Sequence, residues 1–225
     1  MIKNLTILFA LILSLSSCIE IMDDLTIHAD GSGTFRYNIN LSSNKIKVNS
    51  ILALDSLDGQ KVPKIEDIKE KVQLFIKTLD AQNGISNVKI EENYTDFIFK
   101  FSCDFTNVLL LQEGIKTTIS SLTKEKNASE LNHNWITWDG TKLTRSIPAI
   151  TMNKVKELKQ SDIDQLKLGT YTSISRFDKT VEKFGNPAAI LSKNKQAVMI
   201  KTDTYSLKEN PDILENVIYL ISNKN

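Results

Sequence analysis

Between residues 97 and 105 the odd positions are Phe97, Phe99, Phe101, Cys103 and Phe105, and Lys100, Ser102 and Asp104 stand between them. A period of two sends the apolar residues to one face of a strand and the polar ones to the other. Such a strand needs partners at its edges and a layer over its apolar face, so the chain has to build a half-covered sheet. Cys103 falls on the covered face, where a thiol packs as a small hydrophobe instead of reacting.

The rest of the pattern supplies partners and layer. Ile19 to Ala29 and Thr34 to Leu41 read as strands joined at Asp30-Gly31-Ser32-Gly33, where glycines provide the positive φ of a tight connection. Ile85 to Glu92 and Thr95 to Phe105 form a second hairpin turning near Asn93-Tyr94, and Asp139-Gly140 joins Trp135-Ile136-Thr137-Trp138 to Thr141 through Ile147 as a third. Helices fall between them. Ser42 to Leu57 is expected to be helical, and Asp58-Gly59 with Pro63 breaks the pattern. In the next segment Ile65, Ile68, Val72, Phe75, Ile76 and Leu79 recur at three and four residues, until Gly84. Thr106 or Asn107 can cap a helix with Val108, Leu111, Ile115, Ile119 and Leu122 on one stripe.

After Pro148, Val155, Leu158, Ile163 and Leu166 suggest one helix or two short ones, closed by Gly169. Tyr171 to Phe177 and Ala197 to Thr202 are strand-like on either side of an irregular Gly185-Asn186-Pro187 connection, and Ile213 to Ile221 fits a short helix or a final strand. Hairpins joined by helices, without a β-α-β-α rhythm, predict an α+β fold: an antiparallel sheet built from hairpins, with helices packed on one face. One domain is expected from residue 18 to residue 225, with the polar stretch 124–134 as the place where a sub-boundary would fall.

The N-terminus speaks about location. Lys3 precedes an apolar run from Leu5 to Leu15, interrupted by Thr6 and Ser14. Eleven helical residues at about 1.5 Å each reach only about half of a roughly 30 Å hydrocarbon core, so the run reads as the core of a signal peptide and not as a membrane span. It ends Leu15-Ser16-Ser17-Cys18, which resembles the bacterial lipobox. That resemblance implies a lipoprotein signal peptide over residues 1–17, with Cys18 as the acylated first residue of the mature chain and the link to the membrane. With Cys18 acylated, Cys103 is alone, so neither an internal disulfide nor a cysteine-based zinc site can be built. Ile19, where inner-membrane retention would call for Asp, fits transit to the outer membrane. Asp23-Asp24 lies further along than the acidic tags of surface lipoproteins, which points to the periplasmic face.

Charge excludes one class of partner. The chain has 28 Lys+Arg against 27 Asp+Glu, and loss of residues 1–17 removes Lys3 and no acid, leaving an even balance. A nucleic-acid binder needs a basic surplus to displace counterions, and none is present. Only Arg36, Arg145 and Arg176 offer a guanidinium fork among the basic residues, which are otherwise Lys.

No reactive constellation is visible, so no catalytic residue, metal ligand or cofactor is expected and the chain is not read as an enzyme. His28 and His133 have no Cys, His or carboxylate at ligand spacing. Asp23-Asp24 and Glu91-Glu92 are adjacent on strands, point to opposite faces and read as solvated edges. Trp135 and Trp138 are the candidate ligand-binding residues. Three apart on one strand they take opposite faces, one joining the core and the other presenting a flat apolar surface to a glycan or lipid.

A lipobox cysteine followed at once by a strand, the Asp30-Gly31-Ser32-Gly33 turn, a second strand, and then Gly84-Ile85 opening a Phe-rich hairpin before a capped helix resembles envelope lipoproteins of Bacteroidota. The same stretch, Cys18 to Leu122, is distantly similar to the LppM-like lipoprotein domain. What that resemblance implies is an α+β domain able to bind lipid or glycolipid, and it carries over no binding residue. Two functions are therefore expected of a lipid-anchored envelope protein. One is a non-enzymatic interaction or structural module with an envelope protein partner; the other is a carrier of a lipid or glycolipid. A solid core favours the first, and an apolar cavity of several hundred Å³ between sheet and helix favours the second.

Overall fold

The computed structural model describes residues 19–57, 59–123, 134–146 and 169–222. The leader, Cys18, His133, nearly all of the polar stretch 124–134 and the segment between Pro148 and Gly169 lie outside the described residues.

The first hairpin forms as expected. β1 (Glu20–Ile27) and β2 (Gly33–Asn40) pair antiparallel, from Glu20 opposite Asn40 to Ile27 opposite Gly33. Its turn closes through the His28 N–H donating to the Ser32 carbonyl at 2.7 Å, with Gly31 at a φ of +87°. Gly33 is required by close approach, because a Cβ there would overlap the Thr26 carbonyl oxygen and the Phe105 ring. A 3-10 turn (Ser42–Asn44) leads into α1 (Lys45–Leu52), shorter than the expected helix, and residues 56–61 fold into a small hairpin of β3 (Ser56–Leu57) and β4 (Gln60–Lys61). Then α2 (Ile65–Asp80) starts after Pro63, with the Asp67 carboxylate accepting from the Lys64 N–H at 3.1 Å.

β5 (Ile85–Asn93) and β6 (Ile98–Phe105) follow, and β6 pairs with β2 from Phe105 opposite Gly33 to Ile98 opposite Asn40. Phe97 is not a strand residue. It sits at the end of the turn with φ +54° and is nonetheless buried, while its carbonyl accepts from the Leu41 N–H at 2.9 Å. From Phe99 to Phe105 the period of two holds. α3 (Val108–Thr123) is capped by Asn107, whose side-chain oxygen accepts from the Leu110 N–H at 2.9 Å.

β7 (Ile136–Trp138) and β8 (Lys142–Arg145) form the third hairpin, in which Gly140 takes φ +95° and the Asp139 carboxylate accepts from the Thr141 and Lys142 N–H groups. The last third contains β9 (Thr170–Phe177), β10 (Val181–Phe184), β11 (Ile190–Leu191), β12 (Ala197–Asp203), a six-residue α4 (Thr204–Glu209), a 3-10 turn (Pro211–Leu214) and β13 (Asn216–Leu220). Of the two alternatives for 213–221 the strand is realised, as β13, with the preceding 3-10 turn ending at Leu214.

The fold is α+β, and the described residues form two sheets besides the small hairpin. The larger runs β11-β12-β9-β1-β2-β6-β5, and the smaller β10-β13-β8-β7. Every neighbour pair is antiparallel except β1 and β9, which run parallel with Asp23 beside Ser173 and Ile27 beside Phe177. The inner face of the large sheet carries Leu25, Ile27, Cys103, Phe105 and Phe177, and these pack with Leu79 of α2, Leu111 of α3 and Leu143, Ile218 and Leu220 of the small sheet in one core. α2 is held to the sheet by the edge-to-face contact of Phe75 on Phe101, at 5.5 Å between ring centroids.

Candidate functional site

The core is not filled throughout. Between the inner face of the large sheet and the two long helices lies a cavity of about 600 Å³. The sheet contributes Phe35 and Tyr37 from β2, Ile90 from β5 and Phe101 from β6; α2 contributes Ile68, Val72 and Phe75, and α3 Leu111, Ile115 and Ile119. These are the stripes that the sequence periodicity picks out. The same apolar faces that fold the protein therefore also line its interior space.

One end is polar. Asp23 of β1, Tyr171 and Ser173 of β9, and Arg145 of β8 all line the cavity. The Arg145 guanidinium donates through one nitrogen to Asp23 Oδ1, and through the other to the Ile174 carbonyl at 3.1 Å and Ser175 Oγ at 3.3 Å. Asp23 also accepts from Ser173 Oγ at 3.1 Å and from the Tyr171 hydroxyl at 2.5 Å. The Asp23 and Arg145 side chains are only 6% and 10% exposed. Burial, reinforced by the neighbouring Asp23 charge, pushes the Tyr171 hydroxyl well above its ordinary range, and the same two causes in the same order push Tyr37 up to about 12. Both hydroxyls remain protonated at any physiological pH.

Asp23 and Asp24 do point to opposite faces, but they are not solvated edges. β1 is a central strand, so Asp23 is buried at the cavity floor and Asp24 on the other face, where the Arg176 Nε donates to both of its oxygens at 2.9 Å. Glu91 is exposed and bonded to Lys100, whereas Glu92 is half-buried and accepts from the Gln73 amide. His28 meets the Asp178 carboxylate at 3.0 Å at the protein surface.

The two tryptophans are not divided by strand parity, because Trp135 precedes β7. Trp135 is buried and lines the cavity, with the Lys116 ammonium 5.7 Å from its ring centroid. Trp138 packs against the same core, stacked on Phe177 at 6.1 Å, and is not among the described residues lining the cavity. Gln112, which no sequence pattern singles out, is almost wholly buried and fixes the cavity wall: its amide donates to the Ile136 carbonyl at 2.6 Å and its oxygen accepts from the Trp135 and Ile136 N–H groups. Burial, assisted by the Asp104 charge, pushes the Cys103 thiol up to about 12. Among the described residues no three His, Cys, Asp or Glu gather in a metal-binding arrangement, and no helix is long and apolar enough to cross a membrane.

No family model and no curated protein matches the chain. Among solved structures, the NMR structure of the folded domain of the Mycobacterium tuberculosis LppM protein aligns with a TM-score of 0.42 and 10% identity, over 93% of this chain and 94% of that chain.

Proposed function

We propose that this protein is a lipid-anchored envelope protein whose domain holds one amphipathic ligand, its apolar chain lying between the large sheet and the helices α2 and α3. The single observation that carries the reading is the apolar cavity of about 600 Å³. It lies in the range of about 300–1,000 Å³ in which proteins enclose one small-molecule ligand. Of the two functions expected for such a lipoprotein, the cavity favours the carrier over the solid interaction module. The anchor itself is read from Leu15-Ser16-Ser17-Cys18, and the outer membrane and its periplasmic face from Ile19 and the position of Asp23-Asp24.

The chain has two tryptophans, and one of them reports on the cavity. A fatty chain brominated along its length quenches indole fluorescence on contact. With the purified protein we expect saturable quenching at one chain per molecule, retained in Trp138→Phe and largely lost in Trp135→Phe. Quenching that is absent, or that survives in Trp135→Phe, would overturn the cavity as the binding place. Intact mass of the native protein tests the anchor separately, since an unmodified Cys18 excludes it.

A further inference from the structure

Resting on that reading of the cavity, we infer that it selects an amphiphile with an uncharged, hydroxyl-bearing head, seated against Asp23, Tyr171 and Ser173, over one with an ionised carboxylate, phosphate or amine. The argument is an inventory of charge and hydrogen-bond capacity at the polar end. Among the described residues, the charged groups lining the cavity are Asp23, Arg145 and Lys71. Lys71 lies exposed on the outer part of α2, whereas Asp23 and Arg145 are buried against each other and cancel. Arg145 already directs its terminal nitrogens at Asp23, the Ile174 carbonyl and Ser175.

An anionic head at this end would meet a cation whose charge Asp23 already balances and a carboxylate of its own sign. A cationic head would meet a carboxylate already neutralised. In either case one uncompensated charge would be placed in a space with mostly apolar walls, where its lost hydration is not repaid. Hydroxyl groups fare differently. The Tyr171 and Ser173 hydroxyls spend their hydrogens on Asp23, but each hydroxyl oxygen has two lone pairs and can still accept. The floor is therefore rich in acceptors and asks its ligand for O–H or N–H donors without charge. A carboxylate and a phosphodiester carry acceptors only.

The opposite orientation is a distinct alternative with an opposite result. A chain inserted tail-first, with its head by Lys71, would favour anions.

The test is a competition series sharing one C18 chain, in which monoolein, oleyl alcohol, oleate, oleylamine and a single-chain oleyl phosphate displace the brominated chain from Trp135 at pH 8. Monoolein and oleyl alcohol are expected to bind at least about tenfold more tightly than the three charged ligands. Asp23→Asn leaves Arg145 without its counter-charge, so the ratio of oleate to monoolein affinity should rise about tenfold or more in that variant. Equal affinities across the series, or oleate and phosphate binding best, overturn the head preference and leave the cavity reading standing. If no chain binds at all, the cavity reading falls and takes the preference with it. The ranking in the unaltered protein decides the matter even if Asp23→Asn does not fold.

Discussion

Replacing Arg145 by Met tests the buried pair that joins the two sheets. Arg145 comes from β8 of the small sheet, Asp23 from β1 of the large one, and both side chains are nearly inaccessible. Methionine fills much of the same volume, so the packing loss is small. What remains is a buried carboxylate whose donors, among the described residues, are the Ser173 and Tyr171 hydroxyls. Removing one partner of a buried ion pair typically destabilises by about 3–5 kcal/mol. For a protein of this size each kcal/mol lowers Tm by about 2–4 °C, so a fall of about 6–20 °C is expected. Removing both charges together, as Asp23→Leu with Arg145→Met, leaves no orphan charge and should lose much less than the single change. Urea unfolding followed by tryptophan fluorescence gives all four corners of the cycle, read from midpoints at constant slope. A loss under about 1 kcal/mol for the single variant, or a double variant as unstable as the sum of the singles, would refute the electrostatic account.

Gln112→Leu should destabilise by about 2–5 kcal/mol in the same assay, because it strands two backbone N–H groups and one carbonyl of β7 and its approach without partners; a loss below about 1 kcal/mol would mean that the amide is dispensable. Cys103 should resist thiol reagents in the folded protein and react once on unfolding, and the denatured native product should titrate one thiol if Cys18 is acylated and two if it is not. Asp104 is held below its ordinary value by hydrogen bonds from Asn87 and then Thr34, so the folded state prefers its charged form. Its contribution is therefore complete above the unfolded value of about 3.8 and fades as pH falls through the lower folded value. Asp104→Asn should accordingly lower the urea midpoint near neutral pH, and the gap to the unaltered protein should close on acidification; a gap that widens in acid contradicts the sign.

The hairpins were legible because each is decided by neighbours in the chain. Asp139-Gly140 and Asp30-Gly31-Ser32-Gly33 carry their own turn chemistry, and the stripes of α2 and α3 are visible at a spacing of three and four. The cavity floor was not legible, since its parts come from residues 122 and 150 positions apart, Arg145 with Asp23 and Ser173 with Asp23. Parity along β1 separates Asp23 from Asp24 but cannot tell that β1 is central, and a central strand buries what an edge would leave wet. The parallel pairing of β1 with β9 escaped for the same reason: nothing local marks two distant strands as neighbours. Phe97 shows the converse limit, because the apolar alternation continues one residue beyond the start of β6 into a turn, where the backbone takes φ +54°. α4 has six residues and a single cap, the Asp203 carboxylate accepting from the Ser206 N–H at 2.7 Å; too short for a stripe, it left no periodic signal.

The cavity also bears on stability. Apolar walls left facing water forgo a burial term of about 25 cal/mol per Å², and the side chains lining the cavity between sheet and helices are mostly of that kind. A ligand chain seated there would recover part of that term. Water can satisfy Asp23, Tyr171 and Ser173 at the floor but gains little beside Val72, Phe75, Ile115 and Phe101, where a hydrocarbon chain removes apolar surface on every side. A chain that binds the folded state alone should stabilise it by RT ln(1 + [L]/Kd), about 2.7 kcal/mol at a hundredfold excess over Kd. At about 2–4 °C per kcal/mol, delipidated protein should gain about 5–11 °C in Tm on adding monoolein at that excess. A ligand that quenches Trp135 yet leaves Tm unchanged would mean that the chain does not fill the space between sheet and helices, and that the cavity is not the seat of the cargo.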